Sequence, residues 1–201
     1  MTREPELEAL TSELLGARLR ELRVQSGKSL RAVARELGIS PSAVSQIERG
    51  LMRPSVSRLI AYVSAIGVPL AAVFETNLEK APETGATEYG YAIRRSWEVA
   101  PIRLAGGVTF RRLSPIPTPG AEFFESVYPP GAVSNAHGRL LKHEGYEVGT
   151  VTEGELTIEF EADVVTLAAN DSITFPCDRP HLIGNRSKTV TAVATWLIVH
   201  S

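Results

Sequence analysis

Cysteine is almost missing from this sequence: Cys177 is alone among 201 residues, so no internal disulfide can form and a reducing compartment fits. Nothing in its surroundings, SITFPCDRPH, marks that thiol as an activated nucleophile. Long hydrophobic runs are missing too, and none approaches the roughly 20 apolar residues of a membrane-spanning helix. The opening MTREPELEALTSELLGARLRELR has neither the basic n-region nor the apolar h-region of a secretory signal, so a cytoplasmic protein with no membrane partner is expected. A bias toward disorder or a fibre is also absent. With 43% apolar and 22% charged residues, the chain can bury one good core or two small ones.

The net charge of −2 is unevenly distributed. Between Gly16 and Arg58, nine basic residues (Arg18, Arg20, Arg23, Lys28, Arg31, Arg35, Arg49, Arg53 and Arg58) face three acidic ones (Glu21, Glu36 and Glu48), a balance of +6. From Ala81 to Ser201 the balance is −4. A basic segment followed by an acidic remainder points to a polyanion reader joined to a part with another task.

The basic segment has helical periodicity. LLGARLRELRVQ places Leu15, Leu19 and Leu22 on one face, and SLRAVARELG opens a second helix capped by Ser29. Gly38 ends it, Ser40 caps a third helix with Pro41 in its first turn, and Gly50 stops that one. SVSRLIAYVSAIGVPLAAVFE predicts two more, the stripe Val56, Leu59, Ile60 and Val63 and the closing Leu70, Val73 and Phe74 completing a five-helix bundle. In the third helix Val44 and Ile47 face Val33 and Leu37, leaving Ser42, Ser45, Gln46 and Arg49 outside. A small polar outer face suits the major groove of double-stranded DNA. Gln46 can pair with adenine, Ser42 and Ser45 can reach bases or phosphates, and Lys28, Arg31, Arg49 and Arg53 suit phosphates. The capping positions Ser29 and Ser40 complete the candidate DNA-binding set.

ETNLEKAPETGATEYGYA lacks either period and reads as a connector, giving a helical domain over 1–75, a linker over 76–96 and a second domain over 97–201. The second domain alternates short apolar runs with proline and glycine, as an all-β sandwich or barrel does. In ELTIEF, Leu156, Ile158 and Phe160 are expected on a buried face and Glu155, Thr157 and Glu159 on a wet one, with the Gly154 turn joining two strands.

Residues from about 14 to 75 resemble the five-helix helix-turn-helix domain of Xre and lambda-repressor-like regulators. LRAVARELGISPSAVSQIERGLMRPSVSRL follows that pattern across both motif helices, including Ser45-Gln46-Ile47-Glu48-Arg49-Gly50. Downstream, Glu147 and Gly154, then Asn170, Pro176, Asp178, His181 and Asn185, resemble the two-part signature of cupin β-barrels. Together the two parts resemble the Xre-cupin regulators, and HEGYEVGTVTEGEL is similar to the barrel of the putrescine-catabolism repressor group. The resemblance implies an α+β two-domain protein, a lambda-repressor-like bundle followed by a double-stranded β-helix. It also implies a DNA operator, a small-molecule effector, and assembly as a homodimer or dimer of dimers.

The cupin pattern is incomplete: Leu141 stands where the first metal-binding histidine would be, and Asn135, Asn170 and Asp178 replace glycines. His143, Glu147 and His181 remain, the two-histidine, one-carboxylate set that leaves open positions on iron; zinc, nickel and manganese are also compatible. The other reading is a polar pocket in which the same groups hydrogen-bond an organic effector. His137 is expected on a surface loop, and Tyr146, Arg139 and Lys142 lie near the motif. A resemblance to the fosfomycin-biosynthesis epoxidase, with its His-x3-Glu and distant His, implies a catalytic alternative: a mononuclear non-haem iron oxygenase whose helical head serves oligomerisation. The polar recognition face and its basic flanks favour the regulator.

Overall fold

The computed structural model describes residues 11–74, 90–95, 98–135 and 140–200. Its helical part contains α1 (Ser12–Gln25), α2 (Leu30–Leu37), α3 (Pro41–Glu48) and α4 (Val56–Ile66). Each starts at a hydroxyl that accepts a first-turn amide: Thr11 from Leu14, Ser29 from Ala32, Ser40 from Ala43 and Ser55 from Arg58. Leu15, Leu19 and Leu22 of α1 meet Val33, Val44, Ile47, Leu59 and Val63 in the core. Gly16 sets how closely α1 crosses α3. A Cβ there would stand 2.5 Å from the Ile47 carbonyl oxygen, so no other residue permits this approach.

The expected fifth helix is absent as such. Leu70–Phe74 forms a short 3-10 turn, entered through Gly67 and Pro69. The amide of Ala71 donates to Glu122 Oε1 at 2.6 Å, a partner from the other domain, while Ala72 bonds back to Pro69 at 3.1 Å. With five residues and one amide diverted, the segment does not propagate as an α-helix. The expected linker 76–96 lies largely outside the described residues.

The β part comprises β1 (Ile102–Arg103), β2 (Thr109–Arg112), β3 (Ala121–Tyr128), β4 (Tyr146–Glu153), β5 (Glu155–Phe160), β6 (Val164–Ala168), β7 (Ser172–Pro176), β8 (His181–Gly184) and β9 (Ala192–Val199). One sheet has the order β1-β2-β3-β9-β4-β7 and the other β6-β5-β8. Gly154 carries the chain from β4 in the first sheet to β5 in the second, so those strands follow one another without pairing. Between the sheets lie Phe110, Phe124, Tyr128, Leu156, Ile158, Phe160 and Trp196, the indole Nε1 donating to Ser126 Oγ at 2.8 Å. The alternation expected in β5 fails at Thr157, which is buried beside Leu156 and Ile158. Its cross-strand partner Gly184 has no side chain and lets Val133 lie close against that side.

The helical and β parts share one continuous apolar core. Phe74 stacks at a tilt on Phe124 with centroids 5.7 Å apart, the Ser57 amide donates to the Ser134 carbonyl at 3.1 Å, and Ala105 N–H donates to the Pro54 carbonyl at 2.9 Å. Among the described residues no helix is long and apolar enough to cross a membrane.

Candidate functional site

β4 and β8 bring the two halves of the His143, Glu147 and His181 set together. Leu141 and His181 exchange both backbone hydrogen bonds, at 2.7 and 2.9 Å, and the His143 amide donates to the Cys177 carbonyl at 3.0 Å. These bonds stitch the approach to β4 onto the approach to β8. Leu141 therefore occupies a structural bridge where a ligand was expected. Gly145, at φ +98°, makes the turn between His143 and Glu147; a Cβ there would collide with the Val199 carbonyl.

The donor chemistry of the cluster can be worked out from its outer contacts. His181 Nδ1 lies 2.9 Å from the Arg179 carbonyl and His143 Nδ1 lies 3.2 Å from the Glu144 carbonyl. A carbonyl only accepts, so each Nδ1 carries a proton, and a ring without a second proton points a lone pair from Nε2 inward. His143 Nε2 is 3.0 Å and His181 Nε2 is 3.8 Å from the same Glu147 Oε1, itself an acceptor. Three acceptors aimed at one another require a cation or an added proton between them. Burial holds His181 below the ordinary histidine range, against the opposing pull of the Glu147 carboxylate and the Arg179 carbonyl, which keeps the ring in its ligating form.

All three ligand atoms lie within 4.8 Å of one another. Ligands about 2.1 Å from a metal are separated by about 3.0 to 3.4 Å at adjacent positions. The His143 to Glu147 spacing already meets this, and His181 needs a small inward shift. The residues fit a divalent ion. Cys177 contributes no thiolate: burial, reinforced by the Glu147 and Asp178 charges, pushes it up to about 12. Tyr146 stands exposed on the outer sheet face, away from the cluster, and Lys142 borders the cleft between α4 and the barrel. His137 and Arg139 lie outside the described residues.

On the head, α3 presents Ser42 and Arg49 to solvent with Ser45 and Gln46 partly exposed beside them, while Val44 and Ile47 are buried. Ser29 and Ser40 are exposed caps, and Arg31 and Arg53 are exposed at the edges of the same region. Lys28 pairs with Glu36 at 2.9 Å, an exposed contact that salt weakens, and Arg53 Nε donates to Ser12 Oγ at 2.6 Å. Two members of the basic count face inward: Arg18 Nε donates to the Ala72 carbonyl at 3.0 Å, and Arg23 grips Glu48 with Nε at 2.6 Å and Nη2 at 2.8 Å. Tyr62 donates to the same carboxylate at 2.7 Å. That charge braces α3 against α1 and α4.

Sequence reasoning overlooked the residues around the cluster: Tyr128, Ser134, Val56 and Ile60 also border the cavity beside Glu147 and His181. Tyr128 was within reach. A period of two in AEFFESVY puts it on the inward face with Phe124 and Ser126.

The helix-turn-helix family model matches residues 19–73 and the cupin domain model residues 124–198. The HTH-type transcriptional regulator PuuR of Escherichia coli (strain K12) is 30% identical over 179 residues, 89% of this chain and 91% of that one. The crystal structure of an HTH_3 family transcriptional regulator from Vibrio cholerae superposes with a TM-score of 0.68 at 21% identity, covering 94% of this chain and 97% of the other. Hydroxypropylphosphonic acid epoxidase from S. wedmorenis overlaps at a TM-score of 0.47 and 18% identity, covering 94% and 98%, a shared outline only. This chain belongs to the Xre-type helix-turn-helix transcriptional regulators that carry a cupin domain, and it binds DNA.

Proposed function

We propose that this regulator reads a two-fold operator as a homodimer or dimer of dimers, and that a small effector in the cupin barrel resets its affinity for DNA. Gln46 reads a base. Ser42 and Ser45 contact bases or phosphates, while Lys28, Ser29, Arg31, Ser40, Arg49 and Arg53 hold the backbone. Recognition helices of paired heads enter grooves about 34 Å apart. The outer face of β3, β9 and β4 supports association, since it leaves Phe123, Val148, Leu197 and Val199 exposed side by side. In this reading the protein works in the cytoplasm.

The observation that carries the sensing role is the shared wall: α4 of the DNA-binding domain places Val56 and Ile60 against the cavity that Glu147 and His181 border from the barrel. An effector that presses on that wall has unequal affinity for two head positions, which allosteric control requires. His143, Glu147 and His181 are the residues that would hold iron, zinc, nickel or manganese, and such an ion supplies a Lewis-acidic contact for an effector oxygen or nitrogen. The deciding experiment selects genomic fragments with the purified chain, then measures binding to the recovered duplex with and without cell extract. Recovery of one operator whose affinity shifts with extract supports the reading. No duplex binding at low ionic strength ends it.

The two-histidine, one-carboxylate geometry favours one second reading, an iron-dependent oxygenase. Product formed from a candidate substrate with ferrous iron and oxygen, and lost in His181→Ala, would establish it.

A further inference from the structure

The barrel cavity beside Glu147 and His181 measures only about 20 Å³, room for about one water molecule. Its wall is mainly apolar, with Phe110, Phe124 and Trp196 among its members. Tyr128 is set in that wall with no solvent exposure, and its hydroxyl has no hydrogen-bond partner among the described residues. Polar neighbours are provided for: Trp196 Nε1 donates to Ser126 Oγ at 2.8 Å and Ser134 Oγ accepts from the Ile183 amide at 3.1 Å. A buried hydroxyl left unpaired opposes folding, so its retention calls for another explanation.

An outer cleft of about 710 Å³ lies between α4 and the barrel rim. Ile60 of α4 and Ile198 of β9 border both the cleft and the inner cavity, and so form the partition between them. Pockets for small ligands occupy about 300 to 1,000 Å³. The inner cavity is far below that range and the cleft within it. Leu141 separates the same cavity from a second cleft of about 690 Å³, so an organic molecule coming in from either cleft displaces Ile60, Ile198 or Leu141, and of these only Ile60 belongs to the head.

We propose that Tyr128 is a ligand-anchoring residue, its hydroxyl donating to an acceptor oxygen of a small, mainly apolar molecule that comes in from the cleft by displacing Ile60. The proposal rests on reading the barrel as a sensor, and it gives that sensor a mechanical link to DNA. Ile60 lies one turn along α4 from Ser57, whose amide bonds to the Ser134 carbonyl at 3.1 Å. Displacing Ile60 therefore strains the contact that docks the head on the barrel.

The probes are cyclopentanone and methylenecyclopentane, which share a shape and differ in one acceptor oxygen. Both are titrated into the full chain as Ile60→Ala, with Ile60→Val as a milder opening should the first fail to fold. Cyclopentanone should bind the opened variant about tenfold more tightly than the wild type, and adding Tyr128→Phe should remove about tenfold of that affinity while leaving the hydrocarbon unaffected. Amide exchange at Ser57 should accelerate when cyclopentanone is bound. Tyr128→Phe alone should leave Tm unchanged or raise it, since it deletes an unpaired hydroxyl. The proposal is overturned if neither probe binds the opened variants, if Tyr128→Phe affects both probes equally or neither, if exchange at Ser57 does not respond, or if Tm falls. Duplex binding by the untreated chain is measured alongside; its absence would remove the regulatory reading, while the probe pair still judges Tyr128.

Discussion

Glu122 of β3 accepts a hydrogen bond from the Ala71 amide at 2.6 Å while its other oxygen faces His200 Nε2 at 2.8 Å, so one buried barrel carboxylate holds the last turn of the DNA-binding head. Replacing it by alanine leaves a buried amide without its acceptor, a loss of about 1 to 3 kcal/mol. Glu122→Ala should lower stability by that amount in denaturant titration and accelerate amide exchange at Ala71 before the barrel strands respond. Equal exchange at Ala71 in both proteins would show that the contact does not hold the head.

Glu48 gives the head a pH dependence. Burial alone would raise its carboxyl, yet the hydrogen bonds from Arg23 and Tyr62 and the Arg23 charge outweigh burial and hold it below the ordinary value. A lowered folded-state value adds stability that is complete above the unfolded carboxyl value of about 4.3 and lost as pH falls through the folded value. Thermal melts of the wild type should therefore drop more steeply on acidification below that point than those of Glu48→Gln. Parallel acid limbs would contradict the assignment. At neutral pH, Arg23→Ala strands the carboxylate and should cost about 3 to 5 kcal/mol.

The boundaries of α2 and α3 were legible in the sequence because their causes are local: Ser29 and Ser40 cap amides three residues away, and Gly38 turns left-handed at its own position. The 3-10 turn was not, because the group that diverts the Ala71 amide lies 51 positions further along. Arg23 entered the basic balance of the head as an ordinary charge for the same reason; its partner Glu48 comes from another helix. His143, Glu147 and His181 could be grouped from the cupin resemblance, whereas the tautomers that aim both Nε2 atoms inward depend on the carbonyls of Glu144 and Arg179. Tyr128 is the extreme case: its significance is that its hydroxyl has no partner among the described residues, which no local pattern records.

Gly16 makes a separate prediction about the recognition helix. Its missing side chain lets α1 reach the backbone of Ile47, Glu48 and Gly50, all at the end of α3. Gly16→Ala improves helix propensity by about 1 kcal/mol, but forcing a methyl into this crossing costs about 1 to 3 kcal/mol and shifts backbone rather than a flexible side chain. Denaturation should show a net loss, and operator affinity should fall with it because α3 is the element displaced. A more stable Gly16→Ala would mean that the helices can part freely.

Metal binding at the cluster is tested by refolding the chain with iron, nickel, manganese or zinc in turn and measuring retained metal. The wild type should retain one ion per chain and His181→Ala should lose it. Ligation requires neutral imidazoles, so retention should weaken as pH falls. No retention with any of the four would assign the cluster to direct hydrogen bonding of an organic effector.

Gln46 is the sixth residue of α3 and Arg49 its C-cap, and the two should fail differently on DNA. Gln46 is partly exposed, and its amide is the one side chain of this face able to pair with adenine, so Gln46→Ala should weaken operator binding by about 1 to 3 kcal/mol with little effect on scrambled duplex. Arg49 is exposed and its Nε makes only a long contact, 3.4 Å, to the Ser45 carbonyl, which leaves the guanidinium available to phosphate. Arg49→Ala should weaken both duplexes and reduce the slope of log affinity against log salt by about one. Equal losses on operator and scrambled DNA for Gln46→Ala would remove it as the base reader and move sequence selection to Ser42 and Ser45.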